Sequence, residues 1–266
     1  MSAFDDDIAV ERVDEGRYRG VVQPTWGING NPNGGYLLSI VLAALADAST
    51  HPDPISVTTH YLRPGSPDKP CDIAIDVVRT GRSVTTLRGR LIQEDKARLE
   101  VLAAFSDLTV PAGVDADITI SPPDLPPPED CISREGDLQG IEIGITSRLD
   151  VRLHPDLAVP GKASAPEVSG WIRFRDGRAP DTLSLPLFTD TFPPSPFGVL
   201  GVVGWVPTLE LTVHVRRRPA EGWIRTRFVT DDIADGRMIE TGALWDSEGR
   251  LVAQSRQIGL VMRADN

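Results

Sequence analysis

Ser56-Val-Thr-Thr-His-Tyr-Leu-Arg-Pro64 is answered later in the chain by Leu209-Glu-Leu-Thr-Val-His-Val-Arg-Arg-Arg-Pro219. Both segments place a Thr two residues before a His and follow it with Arg and Pro. Thr80-Gly-Arg-Ser83 and Asp235-Gly-Arg-Met238 come next, and Phe105 follows Gly81 at the same separation of 24 positions as Leu260 follows Gly236. Each interval holds a strand, a polar turn (Glu94-Asp-Lys-Ala97; Asp246-Ser-Glu-Gly249) and a strand opening on Arg-Leu. Two hairpins at matching positions predict one unit built twice.

Each half also offers a helix ahead of its Thr/His strand. The first spans residues 34–48. The second spans residues 182–192, with Asp181 as N-cap, Pro186 interrupting it and Pro193-Pro194 ending it. Strands precede each helix, at residues 17–22 and at 149–153 and 170–175. Between the halves lies a stretch with Pro122-Pro123 and Pro126-Pro127-Pro128 among acidic residues. Its composition is that of a linker running over a surface. The expected organisation is α+β: an N-terminal lobe over residues 1–110, a Pro-rich acidic linker over 111–145 and a C-terminal lobe over 146–266.

Before the first helix stands Asn29-Gly-Asn-Pro-Asn-Gly-Gly35, and residues 36–46 are apolar or small apart from Ser39. A helix apolar on every face is buried all round. Gly34 and Gly35 leave its N-terminal N–H groups open to an anion or a developing oxyanion. The same pattern also suits a plain Asn/Gly turn with Asn33 as N-cap.

The chain has 266 residues, 27 basic and 38 acidic, for a net charge of −11. That balance argues against nucleic acid or an anionic membrane as the main partner. Cys71 and Cys131 form no CxxC, which fits free thiols in a reducing cytoplasm. The acidic N-terminus lacks a signal-peptide apolar region, and no apolar run reaches the ~20 residues of a membrane span.

Asn33-Gly-Gly-Tyr-Leu, Thr59-His-Tyr-Leu-Arg-Pro-Gly65 and Ser255-Arg-Gln-Ile-Gly-Leu-Val-Met-Arg263 resemble the type II (TesB-like) acyl-CoA thioesterases. The resemblance covers both halves and leaves out the linker. It implies a double hotdog, two lobes that each wrap an antiparallel sheet round one long helix. It implies hydrolysis of fatty acyl-CoA to free acid and CoA without metal or organic cofactor, and leaves a homo-oligomer open. Carried over by motif, the family's catalytic Asp falls on Asp190 and its Gln on Gln257. The hydroxyl falls on Thr208, with Thr189, Thr191 and Thr212 nearby. The family's acidic-plus-His pair after that hydroxyl is replaced here by Glu210-Leu-Thr212. N–H groups at Gly34, Gly35 and Tyr36 are the implied oxyanion and substrate donors.

The residues themselves say part of this. Leu183, Leu187 and Asp190 share one helical face, and a carboxylate on an apolar stripe near a helix C-terminus should have a raised pKa. A solvated Asp in a frayed last turn fits the same spacing. Gln257 alternates with Leu251, Ala253 and Ser255 on an inward strand face, and its first-half counterpart falls near Phe105. Simple alternation puts Thr208 on the polar strand face, which a bulge at the strand start would reverse. His60 and His214 match as outer-face residues, and no His pair has metal-ligand spacing. Arg63 and Arg216-Arg217-Arg218 are either CoA-phosphate ligands or a solvated strand end. There is no G-x-S-x-G elbow or phosphate loop. A non-catalytic acyl-CoA binding or sensing protein is the alternative. A dehydratase is disfavoured, because neither helix carries a His.

Overall fold

The two Thr/His segments become neighbouring strands at the centre of one sheet. In this computed structural model, which describes residues 2–111, 113–114, 116–135 and 143–262, the first half begins with α1 (Ala3–Asp7), β1 (Glu11–Asp14) and β2 (Arg17–Val22). A ribbon of β3 (Gly27–Ile28) and β4 (Asn31–Pro32) leads into α2 (Gly34–Ala48). Then come β5 (Asp53–Tyr61), β6 (Lys69–Thr80), β7 (Thr85–Gln93) and β8 (Lys96–Ser106). The second half has β9 (Ile132–Ser133), β10 (Leu149–Leu153), β11 (Glu167–Phe174), α3 (Leu185–Thr189) and α4 (Phe197–Leu200). It closes with β12 (Thr208–Val215), β13 (Ile224–Ala234), β14 (Arg237–Trp245) and β15 (Leu251–Leu260).

Thirteen strands form one sheet in the order β1-β2-β6-β7-β8-β5-β12-β15-β14-β13-β11-β10-β9. The order reads the same outward from the β5–β12 seam in both directions, as a repeated unit demands. At the seam Thr58 faces Thr212, their hydroxyls 3.0 Å apart. These are the Thr residues of the two repeats, so the pseudo-twofold axis passes between them. The lobes are also tied by Asp53 at the start of β5, which accepts from Arg218 Nε at 3.0 Å and Thr182 Oγ1 at 3.0 Å. This is the double hotdog that the resemblance implied.

Asn29 (φ 49°) and Gly30 (φ 75°) make the left-handed turn of the β3–β4 ribbon. Asn33 then caps α2, its side chain accepting from Tyr36 N at 3.0 Å. The apolar helix packs against β2, β5, β6, β7 and β8, and Tyr36, Leu38, Ile40, Val41, Leu42 and Leu45 are fully buried.

The second helix is shorter than its sequence pattern suggested. Residues 181–184 form a separate capped turn, in which Asp181 Oδ1 accepts from Ser184 N at 2.8 Å. Only Leu185–Thr189 are helical, with Asp190 as C-cap and Pro186 tolerated in the first turn. The second lobe thus wraps one short turn where a long helix was expected. Residues 112, 115, 136–142 of the expected linker, and 263–266 at the end of the second lobe, lie outside the described residues. Residues 116–135 of the linker lie along the second lobe, while Ile143 bridges to Ile28 of the first. Trp171 and Trp245 donate their indole N–H groups to the carbonyls of Pro126 (2.9 Å) and Ile120 (3.1 Å). Its Ile132–Ser133 adds strand β9 beside β10. Among the described residues no helix is long and apolar enough to cross a membrane.

Candidate active site

The two helices meet end to side where the N-terminus of α2 approaches the C-cap of α3. Asp190 Oδ2 accepts from the Gly35 backbone N at 2.7 Å and from Asn33 Nδ2 at 3.1 Å, while Asn33 Nδ2 also donates to the Asp190 carbonyl at 2.8 Å. Close approach here requires glycine. A Cβ on Gly35 would stand 3.0 Å from Asp190 Cβ and 3.1 Å from Leu187 Cα. The Asp190 pKa is pushed up to about 6, chiefly by burial. The Gly35 N–H pulls the other way, the Glu240 carboxylate adds to the rise, and Asn33 opposes it.

Gln257 on β15 stands in a short polar chain. Thr208 Oγ1 donates to its Oε1 at 3.0 Å, and its Nε2 donates to Glu240 Oε1. Glu240 Oε2 accepts from Ser195 N at 2.9 Å. Glu240 is buried, which holds its carboxyl above the usual range. Thr208 reaches Gln257 because the β12–β15 register shifts between Thr208 and Glu210. This bulge turns Thr208 inward against simple alternation. The other candidate hydroxyls are engaged elsewhere: Thr189 and Thr191 with the carbonyls of Pro186 and Leu187, Thr212 with Glu210 and Thr58.

Asp190, Glu240, Gln257, Thr208, Asn33 and Gly34 share the wall of one cavity of ≈ 570 Å³. Phe192, Phe197, Phe228 and Met238 give it an apolar section, and the partly exposed Leu62, Val202 and Trp205 also line it. Arg63 lines it too, whereas Arg218 is bound to Asp53 and Arg217 to the Leu251 carbonyl. His60 and His214 are exposed on the outer face.

Two of the three N–H groups expected to be free are in use. The Gly35 N–H has Asp190 and the Tyr36 N–H has the Asn33 cap. Neither residue lines the cavity; of that trio only Gly34 does. The Tyr36 hydroxyl is structural, joining Gln23 N (2.9 Å) to the Asp7 carbonyl (2.8 Å). The reason is the intimacy of α2 with α3: the carboxylate takes the donor that an oxyanion would need.

Three cavity residues escaped the sequence reading. Glu240 sits in a strand whose alternation gives no sign of its partners. Arg134 is buried, its Nη1 donating to the Thr191 carbonyl and its Nε without an acceptor, and burial pulls its pKa down to about 10. Tyr61 was part of the repeat motif, yet only packing reveals that its hydroxyl is buried without a partner.

The first lobe has no second copy of the polar chain. By strand register the counterpart of Gln257 is Ala103, which faces Val57 and Leu87 as Gln257 faces Leu211 and Glu240. Ala103 lies two residues before the expected Phe105 on the same face. Both are buried, so the first lobe is filled with hydrocarbon at this place.

Models of two domains match in tandem, the acyl-CoA thioesterase N-terminal domain over residues 22–106 and the acyl-CoA thioesterase C-terminal domain over residues 122–261. The chain belongs to the acyl-CoA thioesterase family. Among solved structures, this family member is similar to a candidate thioesterase II from Thermobifida fusca YX, with 32% identity, 99% of this chain and 98% of that one covered, and a TM-score of 0.88. An acyl-CoA thioesterase II, TesB2, from Mycobacterium marinum shares the fold at 22% identity, with 99% of each chain covered and a TM-score of 0.79. An uncharacterised protein of Mycobacterium tuberculosis H37Rv is 38% identical over 96 residues, which is 36% of this chain and 32% of that protein. The thioesterase-family chain thus matches about a third of the length of that curated relative.

Proposed function

We propose that this protein hydrolyses acyl-CoA thioesters to the free acid and CoA. Asp190 takes a proton from a water that Gln257 and Thr208 help to place. The water oxygen bonds to the thioester carbonyl carbon, and the carbonyl electrons move onto oxygen. As the tetrahedral intermediate collapses, the C–S bond breaks and the proton passes from Asp190 to the CoA sulfur. The observation that carries this reading is a desolvated carboxylate, with a pKa of about 6, on the wall of a cavity of ≈ 570 Å³ shared with Gln257 and Thr208. A base in that range is ionised at neutral pH and basic enough to accept a proton. The apolar section of the cavity suits an acyl chain.

The fatty nature of the acyl group, a role in lipid metabolism, a cytoplasmic location and the lobe boundaries at residues 110 and 146 belong to the same proposal. The test is a panel of acyl-CoAs of graded chain length, with release of free thiol followed by a thiol-reactive dye. Turnover of at least one member supports the proposal. Tight binding across the panel without thiol release would instead support a non-catalytic binding protein.

A further inference from the structure

The site has a base for the water, and it needs a donor for the carbonyl oxygen as negative charge gathers on it. The N–H groups of Gly35 and Tyr36 have acceptors, both bonds from Asn33 Nδ2 go to Asp190, and Thr208 donates to Gln257. Two donors on the cavity wall are buried without an acceptor, Arg134 Nε and the hydroxyl of Tyr61 at the end of β5, and it is the Tyr61 ring that packs against Gly34 beside Asp190. A buried donor without an acceptor is costly and rare.

The position of Tyr61 is informative. A Cβ on Gly34 would stand 3.0 Å from Asp190 Oδ2 on one side, and 2.9 Å and 3.1 Å from Tyr61 Cε1 and Cζ on the other. Only glycine fits there, so the Asp190 carboxylate and the Tyr61 ring flank the same backbone on one cavity wall. A thioester bound beside them can meet a water held by Asp190 and, at its carbonyl oxygen, the phenol. Burial, with Asp190 and Glu210 adding to it, drives the Tyr61 pKa well above its ordinary value, so the phenol keeps its proton.

We infer that the Tyr61 hydroxyl is a catalytic donor for the thioester carbonyl oxygen, acting from the other side of Gly34 on a thioester attacked by the water that Asp190 holds. This rests on the proposed thioester hydrolysis and adds a residue from the first lobe to its chemistry. The phenol donates a hydrogen bond to the oxyanion and keeps its proton throughout.

The test uses Tyr61→Phe, which removes one oxygen and keeps the ring over Gly34. Losing one such donor should lower kcat by about 10²–10³ with KM little changed. The same variant should melt at the same or a higher temperature, because the lost hydroxyl had no partner. A merely structural tyrosine would not give that pair of results. The second readout is the infrared band of a 13C-labelled thioester carbonyl, bound to Asp190→Asn so that it persists. The labelled compound is the acyl-CoA that the unmodified protein turns over fastest. Adding Tyr61→Phe should move the band to higher frequency as the carbonyl loses its donor. Turnover within threefold of the unmodified protein would overturn the inference and leave the Gly34 N–H or the spare amide hydrogen of Gln257 as donor. A lower kcat without a band shift would also overturn it, since the phenol would then be holding the water. An unmodified protein that hydrolyses no acyl-CoA at all would refute the underlying proposal, a result distinct from these.

Discussion

The carboxylate of Asp190 in the second lobe accepts from the backbone N–H of Gly35 in the first at 2.7 Å. A side chain at the end of one lobe's helical turn therefore caps the N-terminus of the other lobe's long helix. The helix N-terminus favours the anion while burial and Glu240 oppose it, and burial dominates. The site exists once, at the junction, because only the second lobe carries the carboxylates and only the first presents a two-glycine helix start.

Asp190→Asn should reduce kcat by about 10²–10⁴, the usual worth of a general base, with acyl-CoA binding retained. It should also stabilise the fold at alkaline pH. An acid whose folded pKa is about 6 against an ordinary 3.8 loses stability as pH rises between those values, and the full penalty remains above them. At 1.36 kcal/mol per pKa unit the penalty is up to about 3 kcal/mol. Melting curves at pH 8 should favour the variant, and the difference should vanish toward pH 4. Unchanged turnover in the folded variant would remove Asp190 from the mechanism.

The pH profile of kcat/KM should have an acid limb near the Asp190 pKa of about 6, with activity rising as the carboxylate ionises. Glu240→Gln removes a like charge, so the limb should move to lower pH. It should lower the plateau as well, because a Gln there has one acceptor oxygen for the two donors, Gln257 Nε2 and Ser195 N, that the Glu240 carboxylate now serves. A limb that stays in place would mean that Glu240 does not bear on Asp190.

The two glycines should respond differently. Gly35→Val drives a side chain into Asp190 Cβ and the Leu187 backbone. By displacing the Asp190 carboxylate it should lower kcat by up to the ~10²–10⁴ of a lost general base, and lower the melting temperature as well. Gly34→Ala meets Asp190 Oδ2 at 3.0 Å and the Tyr61 ring at 2.9 Å. It should cost activity, and less of the melting temperature than Gly35→Val, because one methyl group rather than a branched side chain has to be accommodated. Kinetics beside thermal melts separates the two, and equal melting losses would refute the contrast.

Asp53→Ala should weaken the joint between the lobes. Asp53 is buried and accepts from Arg218, Thr182 Oγ1 and Leu108 N. Removing it strands these donors, at about 1–3 kcal/mol. Denaturant titration should show the loss, with kcat in the folded protein close to normal. A variant as stable as the parent would mean that the seam strands alone hold the lobes together.

The sequence by itself determined the doubled fold, because hairpin spacing, turn chemistry and apolar periodicity are local properties that each half writes out separately. Residues 34–48 form a buried helix with Asn33 as cap because no polar face exists to turn outward. The pattern also singled out Asp190 and Gln257, as polar side chains on otherwise apolar faces. It misjudged the second helix, where helical spacing continued across the capped turn at 181–184. Only the tertiary structure decided which groups meet. Glu240 with Gln257, Tyr61 beside Gly34, and the use of the Gly35 N–H by Asp190 all depend on residues brought together across strands or lobes. Periodicity fixes the face on which a side chain stands. Which donor finds which acceptor is settled by how closely two elements pack, and here the absence of side chains at Gly34 and Gly35 set that distance.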